Sequence, residues 1–214
     1  MECGTSAPPV LSDAKGHFLA RRESRATSEW ELMQPQNSIE STPAASSAFS
    51  AEDVAAVLRQ NAWLNDDLIP VAHAWLVSAA ALLGPQAPDR DALADLLRLI
   101  FNYDARAILQ SAESHTVMSR EGARDVIRLL ANLILDGKDV DSDRFKEIVA
   151  TLKAKLSCRG RELFLPIRLS LAGRVGEGEL DRVILLLDSA AALPFRTSVK
   201  GTRKRILEFC SALD

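Results

Sequence analysis

The sequence predicts an all-α fold. Two observations carry that prediction: apolar residues recur at three- and four-residue spacing in one segment after another, and acidic or serine caps open these segments while glycine and proline close them. A third is the lack of sustained apolar/polar alternation, which a half-buried strand requires. The expected architecture is a helical bundle of about seven or eight helices in two packed subdomains, residues 50–136 and 137–214, after a disordered tail at residues 1–49. No repeat of fixed period is present, which argues against a solenoid.

Residues 1–49 are rich in Ser, Thr, Pro and Ala and bury too little apolar surface to offset the entropy of ordering them. Ser50 caps a first helix from Ala51 to about Asn61, with Asp53 in its first turn and Val54, Val57 and Leu58 as its stripe. Asp66 or Asp67 opens a second helix through Leu83, stopped by Gly84-Pro85; its all-round hydrophobicity predicts a central position. Asp89 to Asn102 forms a third, and Asp104 starts a short fourth through Ile108 and Leu109. Ser119 is expected to cap the fifth, in which Ala123, Val126, Ile127, Leu130, Leu133 and Ile134 repeat until Gly137 ends it. Asp141 or Ser142 caps the sixth, which buries Phe145, Ile148, Val149, Leu152 and Leu156. The run Leu163 to Leu171 is weakly strand-like and is interrupted by Pro166. Two more helices follow, from about Glu179 to Asp188 and from about Lys200 to Leu213, with a break at Pro194.

At 214 residues, 47% of them hydrophobic, the chain is long enough for one or two buried cores. A net charge of -3 offers no global attraction to a polyanion, so a nucleic-acid role must rest on where the charge sits. It sits unevenly. Ala51 to Asp136 holds 7 Lys/Arg against 12 Asp/Glu, whereas Lys153 to Arg205 holds 12 against 5.

Other chemistry has little support. Cys3, Cys158 and Cys210 have neither CxxC pairing nor histidine neighbours, so no metal, cofactor or disulfide framework is implied. Arg159 and Arg161 could activate Cys158, but no histidine base lies near it; Cys210 is expected to act as a small hydrophobe. His17, His73 and His115 are isolated, and His73, within an apolar helix, reads as a core residue. Asp181 and Asp188 read as surface charges beside Arg182, and Trp63, Trp75, Phe101 and Tyr103 as core aromatics. The longest apolar stretch, Leu68 to Leu83, is 16 residues, short of the roughly 20 of a membrane span. With no secretory signal at Met1-Glu2-Cys3-Gly4, a cytoplasmic protein is expected.

The basic material forms two candidate groups. Arg159, Arg161, Arg168 and Arg174 surround the Pro166 segment, and Lys200, Arg203 and Lys204 share a helical face entering the last helix, with Arg205 off that face. Arg168, between apolar neighbours, fits an internal anchor as well as a phosphate contact. Among these cations only Phe195 offers an aromatic ring, so no stacking platform for bases is evident. A nucleic-acid role requires the cations to share one exposed surface.

The segment Leu163-Phe164-Leu165-Pro166-Ile167-Arg168-Leu169-Ser170-Leu171-Ala172-Gly173 resembles the Leu-Phe-x-Pro-Ile/Leu-Arg-x-Ala-Leu-Thr-Gly signature of class I glutamyl-tRNA synthetases. That signature lies in the helical region after their catalytic domain. Ser170 and Ala172 depart from it, and Glu177-Gly178 replace the Gly-Pro that usually precedes the Glu-Leu matched here by Glu179-Leu180. A looser likeness spans Ser50 to Asp214, and Gly16-His17-Phe18-Leu19-Ala20-Arg21-Arg22 is similar to the family's ATP-contacting Gly-x-x-Leu-Ser-Lys-Arg loop, with Ala20 and Arg21 departing.

The resemblance implies an anticodon-binding region without its catalytic domain. The chain would bind tRNA, tRNA-Glu by family, through Arg159, Arg161, Arg168, Arg174, Lys200, Arg203 and Lys204, beside a separate catalytic subunit or as a truncated synthetase. No catalytic residue or activity is expected from it alone. The alternative is an all-α protein-interaction module that has lost RNA binding.

Overall fold

The computed structural model describes residues 49–214; the reading of the segment before Phe49 as a tail and the Gly16–Arg22 likeness lie outside the described residues. Eleven α-helices and no strand form among them, nine of the helices having seven residues or more, against the seven or eight predicted. They are α1 (Ala51–Gln60), α2 (Ile69–Leu83), α3 (Arg90–Phe101), α4 (Ala105–Leu109), α5 (Ala112–Met118), α6 (Ala123–Leu135), α7 (Ser142–Lys155), α8 (Arg161–Ala172), α9 (Glu179–Leu185), α10 (Leu187–Ala191) and α11 (Thr202–Leu213).

Side-chain caps start five of these helices: Ser50, Asp89, Asp104, Ser111 and Asp141 each accept hydrogen bonds from first-turn amides that would otherwise lack partners. At Ser50 the bond is reciprocal, because Asp53 also accepts from the Ser50 amide at 2.9 Å. Ser119, expected to cap the helix at Ala123, instead closes α5, a short helix that the periodicity missed. The start of α6 is set by Gly122 at φ 79, a left-handed conformation that glycine adopts freely.

Helices from both halves of the chain meet in one apolar cluster from Val54 to Phe209. α1 packs on α2 and α3, α9 returns to α2 and α3, and α8 is lined by α5, α6, α9 and α11. The central position belongs to α8, in which every residue from Leu165 to Ala172 is buried. Burial on all sides explains why its sequence reads as a largely apolar run with no helical stripe. Pro166 is tolerated in the second turn, because the one carbonyl it leaves free, on Glu162, belongs to an exposed residue.

α2 is placed differently from the sequence reading. Joined to the 3₁₀ turns Asp66–Leu68 and Gly84–Gln86, it makes a 21-residue segment containing an 18-residue window of mean hydropathy 1.6, long and apolar enough to cross a bilayer by length and composition. One face is packed: Trp75, Leu76, Ala79 and Leu83 are buried, and Trp75 Nε1 donates to the Leu186 carbonyl at 3.2 Å. The other carries Val71 and Val77, 63% and 47% exposed, and His73 lies on the surface too. The core aromatics are as read. Trp63 stacks on Phe101 at 4.7 Å, and Trp75 and Phe195 meet Phe101 edge-on.

Asp188 is not the surface charge expected from its helical spacing. Its carboxylate accepts from Val140 N at 2.8 Å, Thr202 N at 2.7 Å and Thr202 Oγ1 at 2.7 Å, tying the loop after α6 and the start of α11 to α10. Hydrogen bonds to a charged acceptor are the stronger kind, and Asp188→Ala strands two backbone amides. The variant is expected to lose roughly 2 kcal/mol in equilibrium urea unfolding; an unchanged midpoint would mean that water replaces the carboxylate.

Candidate nucleic-acid interface

The basic residues divide into two groups at opposite ends of α7, which at 1.5 Å per residue is about 20 Å long. At its C-terminal end, Lys153 and Lys155 occupy the last turn, where the helix dipole favours cations. The chain then reverses through Gly160, at φ 51, into α8. Arg159 Nη1 donates to the Lys153 carbonyl at 3.0 Å, and Arg161 pairs with Glu177 at 2.9 Å, both partners being largely exposed. An exposed pair of this kind is a weak tie, so Arg161 can exchange its partner for a phosphate.

Phe164, half-buried, has two cations of this group near its ring: Lys153 Nζ is 5.6 Å from the ring centre and Arg168 Cζ 5.0 Å. The aromatic ring among the cations is therefore Phe164. Phe195, the ring read from sequence, is buried in the core against Trp75 at 5.1 Å.

Arg168 is engaged internally. Its Nε and Nη2 meet the two oxygens of Asp181 at 2.8 Å each, and Nη1 donates to the Gly176 carbonyl at 2.9 Å. Its side chain is 9% exposed. The hydrogen bonds to Asp181 raise its pKa above the usual guanidinium value despite burial. The pair fixes the Val175–Gly178 turn on α8 and leaves Arg168 no fork for a phosphate. Asp181, read as a surface charge, is its partner.

The second group surrounds the C-terminal end of α6. Arg203 Nη2 donates to the Leu135 carbonyl at 3.2 Å, and Arg144 Nη2 to the Leu133 carbonyl at 2.9 Å, so both guanidiniums cover orphan carbonyls of that helix end. Arg203 is exposed, whereas Arg144 also pairs with Glu147 at 2.8 Å. Lys204, exposed, and Arg174, half-buried, make no ion pair or side-chain hydrogen bond among the described residues. Lys200 falls before α11 and off its face: its ammonium bridges Glu208 at 2.7 Å and the Tyr103 carbonyl at 3.0 Å. Five of the seven residues read as contacts thus remain available, Arg159 and Arg161 at one end of α7, Arg203 at the other, with Lys204 beside Arg203 and Arg174 just past α8.

Arg205 has a wholly internal role. It is 0% exposed, and its guanidinium donates to the carbonyls of Lys200, Leu171, Leu99 and Ile100 at 2.8, 2.8, 3.0 and 2.6 Å. These include last-turn carbonyls of α3 and α8, so one side chain closes the ends of two helices. The Tyr103 ring lies 4.6 Å from its Cζ, and the Tyr103 hydroxyl donates to the Ser170 carbonyl at 2.5 Å. No group of three His, Cys, Asp or Glu side chains among the described residues could hold a metal. Cys158 and Cys210 are half-buried, and burial raises the Cys210 thiol above its usual value.

Comparison with known proteins gives a consistent picture. The family described as anticodon binding domain matches residues 44–193. Glutamate--tRNA ligase 2 of Syntrophus aciditrophicus is 32% identical over 84 residues, 39% of this chain and 15% of the relative. Glutamate--tRNA ligase of Bacillus licheniformis is 24% identical over 130 residues, 61% of this chain and 26% of the relative. That of Carboxydothermus hydrogenoformans is 28% identical over 80 residues, 37% of this chain and 17% of the relative. The matched part of the chain thus spans about a quarter or less of these relatives. No solved structure matches the chain.

Proposed function

The chain belongs to the anticodon-binding domain family, and from that premise we propose that it is a non-catalytic tRNA-binding domain, of the kind found at the anticodon-binding end of glutamate--tRNA ligases. The observation that carries the reading is the family match over residues 44–193; the cations that the fold leaves free join it as candidate contacts, in two groups rather than on the single surface expected from sequence. Arg159, Arg161, Arg174, Arg203 and Lys204 are the proposed phosphate contacts, with Lys153 and Lys155 beside the first two. Arg168 and Lys200 hold the frame from which these side chains project. Phe164, flanked by Lys153, offers a ring on which a base could stack. The proposed ligand is tRNA-Glu in the cytoplasm, and aminoacylation would require a catalytic subunit outside this chain.

Such contacts act by releasing counterions, so they weaken with salt in proportion to their number. Labelled tRNA-Glu titrated at several salt concentrations tests this. Arg159→Glu with Arg161→Glu, and separately Arg203→Glu with Lys204→Glu, are each expected to weaken binding about tenfold and to flatten the salt slope by about one unit for each phosphate no longer neutralised. Two unaffected variants would remove these residues, and no binding by the parent chain would remove the function.

A second reading, a protein-interaction module that has lost RNA, is favoured by one observation, the exposed Val71 and Val77 on the outer face of α2. Its signature would be salt-insensitive binding of a synthetase catalytic subunit, abolished by Val71→Asp with Val77→Asp.

A further inference from the structure

A cleft of about 450 Å³ opens between α4, α5, α6 and α11, and none of the proposed contacts above is part of its lining. Its floor is apolar, formed by the half-buried side chains of Leu109, Met118 and Leu213. Four exposed nitrogen-bearing side chains stand around it: Arg106 from α4, Gln110 just after it, His115 from α5 and Arg124 from α6. Neither arginine has a carboxylate within ion-pair distance among the described residues, whereas Arg128, one turn further along α6, is paired three residues back with Asp125.

The walls are held in place by bonds within the fold. Asp104 accepts from the Arg106 and Ala107 amides and sets the direction of α4. Ser114, fully buried, donates its hydroxyl to the Ile108 carbonyl at 2.5 Å, which pins α5 against the end of α4 and fixes His115 one residue on. In sequence His115 stood alone; the fold brings it to the same cleft as two guanidiniums contributed by other helices.

We propose that this cleft receives one unstacked nucleotide. The chemistry of the lining selects for it. A flat base finds apolar carbon and the polarisable thioether of Met118 beneath it, with an imidazole or guanidinium plane to stack on. Its phosphate finds the forked donors of Arg106 and Arg124. A bare inorganic anion would leave the floor uncovered, and an uncharged apolar ligand would desolvate the guanidiniums without compensation. The volume suits a ligand of this size. A single-stranded stretch of RNA presents such a nucleotide, and in that form the proposal rests on the tRNA reading; a free mononucleotide supplies the same chemistry without it.

The full chain is titrated with CMP and AMP, with cytidine, with inorganic phosphate, and in parallel with labelled tRNA-Glu, following the His115 ring resonances in the first three cases and anisotropy in the last. The mononucleotides are expected to bind at least about tenfold more tightly than cytidine or phosphate, and R106E or R124E to abolish that difference. The same two variants are expected to weaken tRNA binding about tenfold, while Arg159→Glu with Arg161→Glu leaves CMP binding unchanged. Both arginines are exposed, so these changes should leave the circular dichroism spectrum intact; Met118→Gln probes the floor separately and should lower CMP affinity. If CMP binds and tRNA does not, the cleft is a free-nucleotide site and the tRNA reading fails. If tRNA binds, CMP does not, and R106E and R124E leave tRNA affinity unchanged, the tRNA reading stands and the cleft is overturned. CMP and phosphate binding equally, both insensitive to R106E, would also overturn it.

Discussion

Arg205→Met is expected to cost about 4 kcal/mol of folding stability, near the upper end for a single substitution. Methionine approximates the volume of the arginine stem but carries no donors, so the carbonyls of Leu99, Ile100 and Leu171, and of Lys200, lose the partner that the guanidinium gave them. Each stranded buried acceptor costs about 1–3 kcal/mol, and removing a buried charge from the core offsets part of the total. Arg205→Lys keeps the charge and should recover about half the loss, because one ammonium cannot reach both helix ends as a planar fork does. Urea unfolding of the three proteins checks the order. If methionine proves equal to arginine, water or side-chain movement satisfies those carbonyls, and the two-helix closure is not what holds α11.

The same site sets an expectation for pH. Burial pushes the Arg205 guanidinium down to about 10, still well above neutrality, so it remains charged in the fold. Because that value lies below the one in the unfolded chain, the unfolded chain binds more protons only above about pH 10, and there the arginine makes stability rise with pH. Tyr103 acts in the opposite direction: burial raises its phenol, so the unfolded tyrosine ionises first and stability falls as pH rises through its unfolded value. Below about pH 9 neither group titrates, and the stability difference between the parent protein and the Arg205→Met variant should be flat across the neutral range.

Why Arg205 could not be read from sequence is instructive. Its position off the cationic face was legible from its spacing against Lys200, Arg203 and Lys204, but three of its four acceptors lie 34 and more than 100 residues earlier in the chain. The same holds for Asp188, whose partners come from the loop after α6 and the start of α11, and for Asp181 with Arg168. Local physics was legible where it decided the outcome. The caps at Ser50 and Asp141, the apolar stripes of α6 and α7, and the stop at Gly137 all rest on interactions within a few residues. α5 was missed because it is short and half polar; what holds it is the Ser111 cap and the bond from Ser114 to Ile108. α8 misled in the other direction, since burial on every side erased the stripe that marks a helix. For the candidate interface, the sign of the charge on this half was visible, whereas which cations stay free depended on long-range partners that no spacing encodes.

Gly173→Val is expected to be the other strongly destabilising change, at about 3 kcal/mol. Gly173 ends α8 at φ 81, with its amide donating to the Arg168 and Leu169 carbonyls at 3.1 Å, the usual glycine closure of a helix. Any Cβ in that left-handed conformation costs about 1–2 kcal/mol, and a β-branched one more. A Cβ there would also come within 2.9 Å of Ile108 Cδ1 and 3.4 Å of Tyr103 Cδ2. The isoleucine methyl can shift, but the ring is held by its hydroxyl bond to Ser170, so the second methyl group of valine has little room. The thermal midpoint should fall by roughly 6–12 °C, with Gly173→Asn intermediate because asparagine tolerates the left-handed region. That grading separates backbone strain from crowding: an asparagine variant as unstable as valine would place the cost in Ile108 and Tyr103, and one as stable as glycine would place it in φ. In either case the turn that follows, carrying Arg174 and the Gly176 carbonyl that Arg168 binds, is set by this residue, so the loss of α8's proper end would loosen the frame behind the proposed RNA contacts without touching any of their charges.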